Sequence, residues 1–148
     1  MPVEMHINAD TESTGRMLQR MILAGKNLRP VFDVIAETGL ASIQQNFEKG
    51  GRPHKWKGLA DSTKKRKGGR GQVLIGDKTL LSGIHYDIRY RSVSWHTTPL
   101  AYAAIHQFGG KAGRGRKVTI PKRPYMLLQD EDIEDINEFL AGHIMGRS

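Results

Sequence analysis

Six histidines (His6, His54, His85, His96, His106 and His143) and a run of carboxylates from Asp130 to Glu138 are the side chains of this chain best suited to chemistry. A zinc site needs three or four ligands, usually with two of them at a short fixed spacing. No histidine pair has that spacing with a third nitrogen or sulfur ligand nearby. With no cysteine in the chain, thiolate ligands, sulfur nucleophiles and disulfides are excluded. The GxSxG, HExxH and phosphate-loop patterns are absent. The stretch KAGRGRK (residues 111–117) has glycines and bases but no strand–loop–helix context ending in GK[ST], so it is not a nucleotide cradle. Six acids fall within 130–138 with no base among them. At a helix start they meet the positive end of the helix dipole, which explains them without catalysis. His106, between Ile105 and Gln107, has no nucleophile or acid beside it and reads as a hydrogen-bonded structural group. The sequence therefore predicts no enzyme, no metal site and no cofactor.

What remains is charge. The chain carries 23 Lys and Arg against 15 Asp and Glu, a net +8. Residues 49–72 hold nine bases and one acid, Asp61, while residues 110–123 hold six bases and no acid. The candidate interaction residues are Arg52, Lys55, Lys57, Lys64, Lys65, Arg66, Lys67 and Arg70 in the first segment, with Arg114, Arg116 and Lys117 in the second. Such side chains can neutralise a phosphate backbone without reading sequence. Equally, they can belong to solvated loops that touch another subunit, and charge alone leaves both readings open. No apolar run approaches the ~18 residues of a membrane span, so no membrane partner is expected. The opening MPVEMHINAD lacks the basic start and apolar block of a secretion signal.

The elements that must carry these groups follow from periodicity. Residues 1–148 read as one domain, long enough to bury roughly two-thirds of its unfolded surface. Basic mobile loops are expected at about 49–72 and 110–117. Val3, Met5 and Ile7 alternate with polar residues, as in a half-buried strand. Met17, Leu18, Met21 and Ile22 form a helical stripe, and from Pro30 a second stripe runs through Val31, Phe32, Ile35, Gly39, Ile43, Asn46 and Phe47. Residues 11–24 and 30–48 are thus expected to form an antiparallel helical pair. In the first basic segment Trp56 and Leu59 pin the chain to the body. Val73-Leu74-Ile75 reads as a short buried strand. Ile84, Tyr86, Ile88 and Tyr90, then Val93, Trp95 and Thr97, alternate as a hairpin turning near Arg91-Ser92.

Pro99 opens a short embedded helix in which Tyr102, Ile105 and His106 share a face; it ends at Phe108, where Gly109-Gly110 tolerates the positive φ of a helix exit. Val118 and Ile120 form a last strand, followed by a stiff segment bracketed by Pro121 and Pro124. Tyr102, Ile105, Phe108 and Tyr125 are expected to pack as one cluster. Asp130 is expected to cap a closing helix with Ile133, Ile136, Leu140 and Ile144 on its apolar face. The fold class is α+β: an N-terminal helical pair, a small antiparallel sheet with an embedded short helix, and a C-terminal helix.

The order of these segments carries a resemblance. Arg29-Pro30 opens a helix that closes on Asn46-Phe47. Then follow Pro53, Trp56 and Leu59, Thr63 with Arg66, Leu74-Ile75 and Leu80-Leu81-Ser82-Gly83-Ile84. Tyr102-Ala103, Ile105-His106-Gln107-Phe108-Gly109-Gly110 and Ile120-Pro121-Lys122-Arg123-Pro124-Tyr125 complete the set. Across about residues 28–145 the chain resembles the phage virion morphogenesis family, which includes tail completion proteins. The family commonly reads Thr-Gly before the hairpin and Ala-Arg-Pro or Ala-Arg-Phe after the last strand. Here these are Leu81-Ser82-Gly83 and Lys122-Arg123-Pro124, which keep the flexible and stiff positions.

The resemblance implies a non-enzymatic virion component at the head-proximal end of a tail, made in the bacterial cytoplasm. It would finish the tail or join it to the capsid as a homo-oligomeric ring, six subunits being the number suggested. Its neighbours would be tail terminator or tail tube and head–tail connector proteins, with non-specific DNA contact. A nucleic-acid-binding module is the alternative. Such a module shows its bases on one rigid face with interleaved aromatics. Trp56 is the only aromatic in either basic segment, which favours assembly.

Overall fold

A computed structural model describes residues 4–8, 13–58, 79–89, 92–98 and 103–144. The strands are β1 (Glu4–Asn8), β2 (Ile84–Arg89), β3 (Ser92–Thr97), β4 (Gly110–Ala112) and β5 (Val118–Ile120). The helices are α1 (Ser13–Leu23), α2 (Arg29–Glu48), α3 (Thr79–Ser82), α4 (Ala103–Phe108) and α5 (Asp130–Ile144), with a 3₁₀ turn at Arg114–Arg116. This is the expected α+β architecture.

The alternation in the hairpin becomes a three-stranded antiparallel sheet of order β1-β3-β2. Met5 lies opposite Trp95 in one pairing, and Tyr86 lies opposite Trp95 in the other. Val93, Trp95 and Thr97 are buried along the central strand, as their period-2 spacing requires. α2 packs against β2 and β3, and the Trp95 indole Nε1 donates to the Ala36 carbonyl at 3.0 Å. The helix starts where Pro30 occupies its first turn, and the Asn27 side-chain carbonyl accepts from the Arg29 N–H at 3.1 Å.

α5 is the element that binds the helices together, packing on both α1 and α2. Across the first contact Thr14 Oγ1 donates to Asn137 Oδ1 at 2.7 Å. The two N-terminal helices lie where their stripes place them, but α5 holds each of them. The cap of α5 also differs from expectation. Asp130 is exposed, and the Asp132 carboxylate accepts from the Gln129 N–H at 2.8 Å. This is the returning half of a capping box, three residues into the helix. The expected strand at Val73-Leu74-Ile75 lies outside the described residues, as do Leu59, Tyr90, Tyr102 and Arg91 of the turn expected near Arg91-Ser92.

Candidate functional site

The proline-bracketed segment after β5 runs from Pro121 to Gln129 with no helix or strand of its own. Its main-chain groups cannot remain buried without partners. Side chains supply most of them. Gln107 Oε1, at the end of α4, accepts from the backbone N–H groups of Tyr125 and Met126, both at 3.0 Å. From the far end of α2, Asn46 Nδ2 donates to the carbonyls of Tyr125 at 2.8 Å and Leu127 at 3.1 Å. Trp56 Nε1 donates to the Pro124 carbonyl at 3.2 Å, and the Arg123 N–H to the His106 carbonyl at 2.7 Å.

The side chains of the segment are fixed as firmly. The Tyr125 ring is fully buried, its hydroxyl donating to the Ala103 carbonyl at 2.7 Å, and burial pushes its phenol pKa upward. Phe47 packs against Tyr125 and, edge-on, against Trp56. Arg123 reaches back along the first basic segment, donating from Nε to the Lys57 carbonyl and from a terminal nitrogen to the Gly58 carbonyl, both at 3.0 Å. Burial lowers its pKa, yet a guanidinium stays charged at any pH the fold meets.

Arg52 departs from its expected role as a surface base. Its side chain is only 10% exposed. Nε donates to Asn46 Oδ1 at 2.9 Å, one terminal nitrogen to the Ser42 carbonyl at 2.8 Å and hydroxyl at 2.7 Å, and the other to Gln45 at 3.0 Å. The Glu131 carboxylate lies 3.4 Å away, and the Ser42 hydroxyl in turn donates to Asp132. Arg52 therefore staples the end of α2 to the start of α5. A count of charges could not show this, because it records cations and not their partners.

Phe108 is the second correction. It was expected inside a cluster with Tyr125, but it is 69% exposed, whereas Tyr125 is buried and Ile105 half-buried. α4 ends at Phe108, and Gly109 turns the chain at φ +74° directly beneath Lys122, where a Cβ would come within 2.9 Å of the Lys122 nitrogen. The turn leaves Phe108 outside. Of residues 110–117, expected as a mobile basic loop, 110–112 form a strand and 113–117 the turn that follows it. They belong to a hairpin, β4 pairing with β5 as Gly110↔Ile120, Lys111↔Thr119 and Ala112↔Val118. Arg114, Arg116 and Lys117 occupy its exposed turn, and Lys111 donates to the Thr119 hydroxyl across the strands.

Lys55 and Lys57 are exposed on the other basic segment; Lys64, Lys65, Arg66, Lys67 and Arg70 lie outside the described residues. Four residues of the resemblance thus have a common task. Trp56, Gln107, Arg123 and Asn46 all hold main chain. Among the described residues no three His, Asp or Glu side chains converge as metal ligands would. The profile of the phage virion morphogenesis family matches residues 9–145, nearly the whole chain. The chain belongs to this family. It is 40% identical over 136 residues to the Mu-like prophage FluMu G protein 2 of Haemophilus influenzae, covering 92% of this chain and 91% of that protein. No solved structure gives a significant match. The family groups phage morphogenesis proteins and is not a known enzyme class, so the role of this chain is in phage morphogenesis.

His106 adds a testable pH dependence to the clamp. Burial, and then the neighbouring Arg123 guanidinium, hold its pKa below the ordinary 6.5. The folded state therefore favours neutral imidazole more than the unfolded chain does. Its contribution is complete above about pH 6.5 and is lost as pH falls through the depressed value. Urea midpoints should fall between about pH 7 and pH 5, and His106→Gln should flatten that slope. Equal slopes for the two proteins would remove His106 as the cause.

Proposed function

We propose that this protein is a non-enzymatic structural component that completes a phage tail at its head-proximal end and helps join it to the head. In this reading it acts as a homo-oligomeric ring in the tail or neck of the virion. Its neighbours are itself, a tail terminator or tail tube protein, and the head–tail connector, with DNA passing the ring and touching it without sequence preference. The observation that carries the reading is the use made of the family's polar residues. Asn46, Trp56, Gln107 and Arg123 fix an extended segment between two helices and a hairpin. Such a clamp builds a rigid body with charged surfaces, which suits assembly. The name of the Haemophilus relative points to a Mu-like prophage and agrees with a phage particle as the setting.

Removing the gene from an inducible prophage and supplying the chain in trans tests this directly. Electron microscopy should show unfinished tails and separate filled heads without the chain, and joined particles with it. Replacing Lys64, Lys65, Arg66 and Lys67 together with Ser probes the first basic segment in the same assay. Joined, infectious particles in the complete absence of the protein would overturn the reading. DNA affinity lost in the quadruple variant, with tail assembly unimpaired, would assign that segment to the nucleic acid.

A further inference from the structure

The β4–β5 hairpin and the start of α5 carry opposite charges, yet they do not neutralise each other within one chain. Among the described residues Arg114, Arg116 and Lys117 meet no acid, and Asp130, Glu134, Asp135 and Glu138 meet no base. All seven are exposed. Two apolar side chains stand on the hairpin side: Phe108 immediately before β4, and Val118, 53% exposed, in β5. A single exposed apolar residue is ordinary. Here one stands at the base of a small basic hairpin and the other beside its basic turn, and exposed apolar residues together with Arg are a mixture that protein interfaces use.

We infer that the hairpin face built from Phe108, Val118, Arg114, Arg116 and Lys117 docks on the acidic start of α5 in a second copy of this chain. The inference rests on the ring proposed above and names its two faces. α5 offers the matching charge, with Asp130, Glu134, Asp135 and Glu138 exposed along its first turns while Ile133 packs against the core. A DNA backbone would satisfy the bases but would leave Phe108 and Val118 without an apolar partner. The two faces are different patches of one surface, so the contact is head-to-tail and repeats from copy to copy until a ring closes. Charge brings the faces together quickly and in register, so association weakens as salt rises.

The cysteine-free sequence makes the contact directly measurable in particles. Full-length protein carrying both Val118→Cys and Glu134→Cys is produced during phage growth, and purified tails are treated with a flexible bis-maleimide. A ladder of crosslinked copies is expected. A control pair, Val118→Cys with Leu23→Cys, uses a residue that is 81% exposed outside both faces and should give none. Exchanging Arg114, Arg116 and Lys117 for Glu should lower incorporation into tails about tenfold or more, and adding Glu134→Lys, Asp135→Lys and Glu138→Lys should restore it. Phe108→Ala should keep the wild-type melting temperature while reducing incorporation, which separates contact loss from unfolding.

Finished tails that contain the protein but give no Val118–Glu134 ladder would overturn the inference while leaving the ring standing. So would a ladder confined to the control pair, or lost DNA binding in the hairpin variant with its ladder intact. Particles that join normally without the protein would instead remove the reading beneath it.

Discussion

Gly39→Val is expected to leave little folded protein at physiological temperature. Glycine in a helix interior costs about 1 kcal/mol relative to Ala, so α2 has a reason for tolerating it there. That reason is the sheet. An ideal Cβ at Gly39 would lie 2.2 Å from Trp95 Cζ2 and 2.4 Å from Cε2. Trp95 cannot retreat, because its ring is fully buried and its Nε1 is held by the Ala36 carbonyl one helical turn before Gly39. Forcing extra methyl groups into a packed core typically costs about 1–3 kcal/mol, and expelling the indole instead forfeits about 3–5 kcal/mol. Either is a large part of the roughly 5–15 kcal/mol that holds a domain folded. Gly39→Ala is the milder form, and its urea midpoint should fall despite alanine's better helix propensity. Combining it with Trp95→Phe should recover part of the loss, a coupling that a double-mutant cycle isolates. A raised midpoint for Gly39→Ala alone would show that α2 does not approach the sheet this closely.

The contact shows what a sequence can and cannot disclose. The stripe from Val31 to Phe47 and the alternation of Val93, Trp95 and Thr97 were legible because each is set by local geometry. They correctly placed α2 and the central strand, with Gly39 on the buried stripe. That Gly39 must be glycine depends on a ring 56 positions later. Phe108 misled for a related reason. Its apolar type argued for burial, but its direction was decided by the turn at Gly109 and the arrival of Lys122 beneath it. The second strand of the hairpin was legible in Val118 and Ile120, but the first, Gly110-Lys111-Ala112, hid because it shows no apolar alternation. Its glycines and bases read as a loop. Arg52 hid because the sum of charges records cations and not their partners. The site itself was half legible: the ordered motif identified the right residues, while their work as main-chain clamps depends on pairs 18 to 81 positions apart.

Asn46→Leu should therefore destabilise this protein more than its single amide suggests. Asn46 is fully buried near the end of α2, on the same face as Ile43 and Phe47. A leucine would fill a comparable space and would continue the apolar stripe, so a reading by hydrophobicity alone predicts a gain. Its partners predict the opposite. The Tyr125 and Leu127 carbonyls would each lose a donor, and Arg52 Nε would lose its acceptor. Buried polar groups left unsatisfied cost about 1–3 kcal/mol each, more for a charged group. The expected loss is thus about 3–6 kcal/mol, although Arg52 keeps its bonds to Ser42 and can share some of the strain. Loosening should be greatest around Tyr125 and Leu127, and it should reach the base of the β4–β5 hairpin, because Arg123 joins that segment to His106 on α4. Hydrogen exchange should accordingly rise at the Tyr125 and Met126 amides before it rises in the sheet. Gln44→Leu provides the control, an exposed polar position two residues away on the same helix, where a change within about 0.5 kcal/mol is expected. A urea midpoint for Asn46→Leu equal to that of Gln44→Leu would mean that the proline-bracketed segment is kept in place by its own stiffness and by Gln107, with Asn46 contributing nothing.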